Sequence, residues 1–122
     1  MTRYFFDTYA IIEILEGNSK YEHYTEVEYV ITQLNLIEFH YYMLRRFGEA
    51  AAEAALRKVS KNVVFLTDEI ITAANKFRLK NKPKEFSTAD CIGYAYAREN
   101  GLLFLTGDNE FEGLHGVEFA SK

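Results

Sequence analysis

Tyr4-Phe5-Phe6-Asp7-Thr8-Tyr9-Ala10-Ile11-Ile12 is the stretch from which the fold can be read. Residues 4–6 form a short aromatic run suited to a strand, and Asp7 is the turn into a helix over 8–16 that Gly17-Asn18 closes. The same alternation continues outward along the chain. Residues 19–27 are polar and Tyr-rich with weak helical spacing, and 28–31 read as a second strand, after which Thr32 caps a helix to about Phe47. Gly48 separates it from an Ala-rich helix over 49–58. Residues 63–66 read as a buried strand, with Thr67 or Asp68 capping a helix to about Leu79. Beyond a loop at 80–86, which holds the only proline, Ser87 opens a helix to about Asn100 that Gly101 ends. Strands at 102–106 and 117–120 complete the pattern. Strands alternating with helices imply an α/β fold with a mostly parallel sheet covered on both faces.

With 122 residues, 48% hydrophobic and 16% aromatic, the expectation is one domain over 1–122 with an ample core. No apolar stretch approaches the ~18 residues of a membrane span, and the start MTRYFFD does not read as a signal peptide, so a soluble, cytoplasmic protein is expected. Cys91 stands alone, which excludes an internal disulfide, and no Cys/His spacing matches a zinc site. A net charge of −4 opposes bulk attraction to nucleic acid. A nucleic-acid enzyme of this composition needs a local basic patch, or metal ions that reverse the sign of its site.

Asp7, Glu38, Asp90 and Asp108 each lie where a strand-like run hands over to a loop or helix. In an α/β chain such handovers gather along one sheet edge, and converging carboxylates repel unless a cation or shared protons hold them. An all-oxygen set suits Mg²⁺ or Mn²⁺. Each acid also has a purely structural explanation. Asp7 can be an N-cap, Asp90 the far member of a capping box with Ser87, and Asp108 a turn residue. Glu38 lies beyond capping range, on a face with Leu34, Asn35, Tyr41 and Tyr42, where an unpaired carboxylate would need a partner such as Arg45 or a Tyr hydroxyl. One shared metal accounts for all four placements with a single cause.

Phe6-Asp7-Thr8-Tyr9-Ala10-Ile11-Ile12, Thr32-x-x-Asn35-x-x-Glu38, Ser87-Thr88-Ala89-Asp90-Cys91-Ile92-Gly93-Tyr94-Ala95 and Leu105-Thr106-Gly107-Asp108-Asn109-Glu110-Phe111 resemble, in order, the motifs of PIN-domain ribonucleases, including VapC-type toxins of toxin-antitoxin pairs. The resemblance implies a three-layer α/β/α sandwich around a five-stranded sheet of order 3-2-1-4-5, with an acidic pocket at its C-terminal edge. It implies Mg²⁺ or Mn²⁺ held by Asp7, Glu38, Asp90 and Asp108, with Thr8 and Thr106 in support and Thr106 orienting Asp108. The implied activity is endonucleolytic RNA cleavage leaving 5′-phosphate and 3′-hydroxyl ends, and the implied partners are a second copy of the chain and, for toxin members, an antitoxin. Tyr9 stands where relatives often carry Ser or Asn, and either narrows the pocket mouth or offers a base a stacking surface. Glu110 is either a further acid of the pocket or a solvated turn residue.

Lys76, Arg78, Lys80, Lys82 and Lys84 fall within nine residues that end near the Asp90 helix. Lys82 and Lys84 are the candidates for RNA contact, while helix-dipole complementation accounts for Lys76, Arg78 and Lys80. His23, His40 and His115 are expected at the surface. A haloacid-dehalogenase phosphatase would need a second Asp where Tyr9 stands, and a receiver domain an acidic pair near the first strand. The remaining alternative is a non-catalytic PIN-like module that binds RNA or protein.

Overall fold

Successive side chains of a strand point to opposite faces, and in β1 (Tyr4–Phe6) Phe5 and Phe6 are both buried. A strand whose two faces are both dry must have a layer on each side. The computed structural model, which describes residues 2–120, shows those layers. On the Phe5 side lie α4 (Asp68–Lys80) and α5 (Thr88–Glu99), which contribute Ile70, Ala74, Ile92 and Ala95 to a core shared with Phe104 and Phe111. On the Phe6 side lie α1 (Thr8–Leu15), α2 (Gln33–Phe47) and α3 (Glu49–Val59), whose Ala10, Ile11, Phe39, Met43 and Ala52 pack with Leu105. The neighbouring strand β3 (Leu103–Thr106) divides in the same way, Phe104 to one core and Leu105 to the other. Each fully buried ring stabilises the fold by roughly 2–3 kcal/mol.

The sheet has four strands, all parallel, in the order β2-β1-β3-β4, where β2 is Tyr29–Val30 and β4 is Val117–Phe119. This is the expected α/β/α arrangement with one strand fewer. Residues 63–66, read from composition as a buried strand, make a single parallel bridge between Val63 and Ile31. Two backbone bonds hold it, Ile31 N–H to Asn62 O at 3.0 Å and Val64 N–H to Ile31 O at 2.8 Å. A 3-10 turn at Ser60–Asn62 precedes the bridge and Thr67 caps α4 just after it, so too few residues remain extended for a ladder. Phe65 consequently points outward, 92% exposed. The bridge lies beside β2, so the order expected for five strands survives with its outermost member reduced.

Gly93 sets the distance between α5 and the sheet. A Cβ there would lie 2.6 Å from Cε1 of Phe5 and 3.1 Å from Phe104, so only the bare backbone fits against the stacked Phe5 and Phe104 rings. Because the strands are parallel, their C-terminal ends share one edge, and the segments leaving β1, β2 and β3 meet there. α5 precedes β3 in the chain and runs back against it, which brings its N-terminus to the same edge. No helix among the described residues is long and apolar enough to cross a membrane.

Candidate active site

Asp7 leaves β1 in an extended conformation and caps α1, its Oδ1 accepting from Ala10 N–H at 2.7 Å. The other oxygen accepts a hydrogen bond from the Thr106 hydroxyl at the end of β3, and the Thr106 oxygen in turn accepts from Asp108 N–H at 3.0 Å. Thr106 is fully buried, so it ties the ends of two adjacent strands together where water cannot compete. Its hydroxyl acts on the Asp108 backbone and, in addition, on the Asp7 carboxylate. Asp108 Oδ1 accepts from Glu110 N–H at 2.9 Å and starts the 3-10 turn Asn109–Phe111.

Asp90 and Ser87 form a reciprocal capping box at the start of α5, with Ser87 N–H to Asp90 Oδ2 at 2.9 Å and Asp90 N–H to Ser87 Oγ at 3.0 Å. Thus Asp7 and Asp90 are caps and cavity walls at once, since the capping bond leaves the carboxylate at the mouth of its helix. Glu38 departs from its sequence reading. The buried face of α2 carries Asn35, Phe39 and Met43, and Glu38 lies exposed beside it. Its partner is Thr8, whose Oγ1 donates to Glu38 Oε1 at 2.6 Å. Of the groups expected to partner it, Arg45 stands 5.7 Å over the Tyr41 ring and Tyr42 donates to Glu16.

Behind Thr8 lies a residue that sequence reasoning did not assign to the site. Buried Asn35 donates from Nδ2 to Thr8 Oγ1 at 3.1 Å, while its Oδ1 accepts from Thr32 N–H at 3.0 Å and from the Thr32 hydroxyl at 2.8 Å. The relay Thr32, Asn35, Thr8, Glu38 therefore fixes the last carboxylate from the helix cap. Its trace in the sequence is the Thr32-x-x-Asn35-x-x-Glu38 spacing.

Asp7, Glu38, Asp90 and Asp108 line one cavity of about 920 Å³, together with Thr8, Tyr9, Ile12, Tyr41, Gly107, Asn109 and Glu110. Its electrostatics are those of crowded, partly dry acids. Burial pushes the Asp7 carboxyl up to about 7, the bonds from Thr106 and Ala10 oppose the rise, and the charges of Asp90 and Asp108 add to it. Asp90 is also raised, first by burial and further by Asp108, against the lowering effects of the Ser87 bonds and the Arg78 charge. A buried cation would reverse both trends. Cys91, buried behind this edge with its thiol pushed up to about 11, offers no thiolate at neutral pH.

The donor set is made of hard carboxylate oxygens, which fits Mg²⁺ or Mn²⁺ and fits zinc or copper poorly. Among the described residues no three His, Cys, Asp or Glu side chains stand close enough together to grip an ion directly. Lys82 and Lys84 do not line this cavity. They line a second one of about 510 Å³ with Arg78, Glu85, Phe86 and Ser87.

Residues 4–116 match the family described as the PIN domain. No curated protein matches the sequence significantly. Among solved structures, the fold is similar to the sarcin-ricin-loop-cleaving toxin VapC20 of Mycobacterium tuberculosis, with a TM-score of 0.76 and 21% identity over 96% of this chain and 98% of that one. It is similar as well to a toxin-antitoxin complex from Klebsiella pneumoniae, with a TM-score of 0.75 and 21% identity over 93% and 94% of the two chains. A DNA-bound VapBC from Salmonella typhimurium gives a TM-score of 0.74 at 18% identity over 99% and 98%. At these identities the likeness shows a shared fold.

Proposed function

We propose that this chain, which belongs to the PIN domain family, is a Mg²⁺- or Mn²⁺-dependent endoribonuclease that acts as the toxin of a toxin-antitoxin pair. The observation that carries the proposal is the gathering of four acids, separated by up to a hundred residues of chain, around one cavity at the C-terminal edge of the sheet. Carboxylates that raise one another's pKa are a liability unless a cation compensates them, and a module built only to bind would gain nothing from the arrangement. The similar solved structures include a sarcin-ricin-loop-cleaving toxin and toxin-antitoxin complexes, which supports both the substrate class and an antitoxin partner.

In the proposed mechanism Asp7, Glu38, Asp90 and Asp108 would hold the ion. When bound, the ion lowers the pKa of a water and stabilises negative charge on the phosphoryl oxygens. The chain's own contribution is positional. Thr106 holds the Asp7 carboxylate and the Asp108 backbone in a fixed relation, and Thr8, seated by Asn35, holds Glu38 at the cavity mouth. Tyr9, 40% exposed on the wall, offers a ring on which a base flanking the cut can stack, whereas Tyr41, 62% exposed there, already has Arg45 over its ring.

The test is cleavage of single-stranded RNA by the purified chain. Cutting in Mg²⁺ or Mn²⁺ that stops in EDTA and in Asp7→Asn is the expected result. A protein that binds RNA equally in all these conditions and cuts in none is a binding module, and the proposal fails. Growth arrest on expression, relieved by co-expressing the neighbouring gene product, tests the toxin assignment separately.

A further inference from the structure

A polyanion that must enter an acidic cavity on a chain of net charge −4 needs a cationic hold close by, within the ~8 Å over which salt leaves charges visible to each other. The structure sorts the run of cations between Lys76 and Lys84 into different surroundings. Lys76 lines a cavity with Asp68 and Glu69, among opposite charges. Arg78, Lys82 and Lys84 instead line one cavity with Glu85, Phe86 and Ser87, three cations against a single acid.

Side-chain bonds join this cationic cavity to the acidic one. Ser87, in its wall, is the residue that exchanges hydrogen bonds with Asp90. Arg78 Nη1 donates at 2.8 Å to Oγ1 of Thr88, in the first turn of the same helix. Lys84 Nζ donates at 2.8 Å to the backbone carbonyl of Glu110, which walls the acidic cavity, and stands 5.8 Å from the centre of the Phe86 ring. Lys84 is thereby a brace between the loop before α5 and the loop after β3. Arg78 is seated by one bond, and the rest of its planar fork has the geometry that pairs with phosphate oxygens. Lys82 is exposed on the same cavity.

We propose that Arg78 and Lys82 form a subsite for a backbone phosphate of the RNA strand next to the bond being cut, with Lys84 as the positioning residue that holds this subsite against the acidic cavity. The inference deepens the nuclease reading and rests on it for the identity of the polyanion. It also reassigns Arg78, whose place near the end of α4 is otherwise explained by the helix dipole, from a helix-end charge to a substrate contact.

The experiment measures binding of a fluorescein-labelled oligouridylate by anisotropy, with Asp7→Asn as the non-cutting parent in Mg²⁺, across a series of salt concentrations. Each lost phosphate contact lowers the slope of log affinity against log salt by about 0.7 for a single strand. Arg78→Ala and Lys82→Ala are each expected to lower it by up to that amount and the double variant by no more, Arg78→Lys to restore the slope, and Lys76→Ala to leave it unchanged. Should Arg78→Ala fail to fold, Lys82→Ala at its exposed position carries the same test. Equal slopes in all variants, or a loss in Lys76→Ala as large as in the others, would overturn the subsite. So would weakened binding of polyglutamate with RNA binding intact, which would make the surface a dock for an acidic protein segment. Wild-type cleavage with unaltered slopes would remove the subsite alone, whereas lowered slopes in a chain that never cleaves would keep the phosphate contact and remove the nuclease.

Discussion

Asp7→Asn should make the metal-free protein more stable above neutral pH, although it removes a charged residue from the proposed active site. Folding moves the Asp7 carboxyl from an ordinary 3.8 to about 7, chiefly through burial. Each unit corresponds to ~1.4 kcal/mol, so ionised Asp7 destabilises the metal-free fold by roughly 4 kcal/mol at pH well above 7. An acid whose folded pKa is raised binds its proton more tightly in the native state. Its contribution is therefore fully present below pH 3.8 and is lost as pH climbs through about 7. Asn keeps the acceptor for Ala10 N–H, and disturbing the bond from Thr106 costs about 1 kcal/mol. The variant should then exceed the parent by about 3 kcal/mol at pH 8.5, with the difference gone near pH 4. Urea unfolding followed by circular dichroism in EDTA reads this as a midpoint shift of about 1–3 M, for urea slopes of ~1–3 kcal/mol/M. Added Mn²⁺ should stabilise the parent and leave the variant nearly unmoved, since only a native site that binds the ion gains from it. A stability difference that stays constant across pH, or a parent more stable at pH 8.5 in EDTA, would refute the reasoning.

Other perturbations probe the scaffold around the acids. Gly93→Ala should destabilise the fold by about 1–3 kcal/mol in urea unfolding despite the better helix propensity of Ala, because its Cβ meets the Phe5 ring at 2.6 Å. Thr106→Val should lower the cleavage rate roughly 10–100-fold and raise the Asp7 pKa further, read as an alkaline shift of the pH profile, because a bond that opposes the rise is lost. Asn35→Ala should cost about 1–3 kcal/mol by leaving Thr32 N–H unpaired, and should reduce cleavage roughly 10-fold by releasing Thr8 and with it Glu38.

The parts of the fold that could be read directly were those set by local chemistry. Paired aromatics at Phe5-Phe6 and the run at Phe104-Leu105 announce strands dry on both faces, and Thr32, Thr67 and Ser87 announce helix starts that the structure places within a residue. The convergence of Asp7, Asp90 and Asp108 followed from strand-helix alternation, because a parallel sheet has one C-terminal edge. What local chemistry did not reveal was decided by tertiary packing. Residues 63–66 have strand composition, yet a short apolar run carries no periodicity of its own, and crowding by the flanking turn and cap left Phe65 outside. The partner of Glu38 lies thirty residues away in Thr8, a pairing that no helical spacing could suggest. Capping and site roles for Asp7 and Asp90 were weighed as alternatives in the sequence, whereas the structure gives both residues a capping bond and a place on the cavity wall.

Crystals grown with Mn²⁺ and measured at a wavelength where manganese scatters anomalously offer the most direct test of a divalent centre at this sheet edge. An anomalous peak inside the cavity bounded by Asp7, Glu38, Asp90 and Asp108, absent from Asp7→Asn crystals grown in the same way, is the predicted result. No peak there at saturating Mn²⁺, or one that persists unchanged in the variant, would contradict the account.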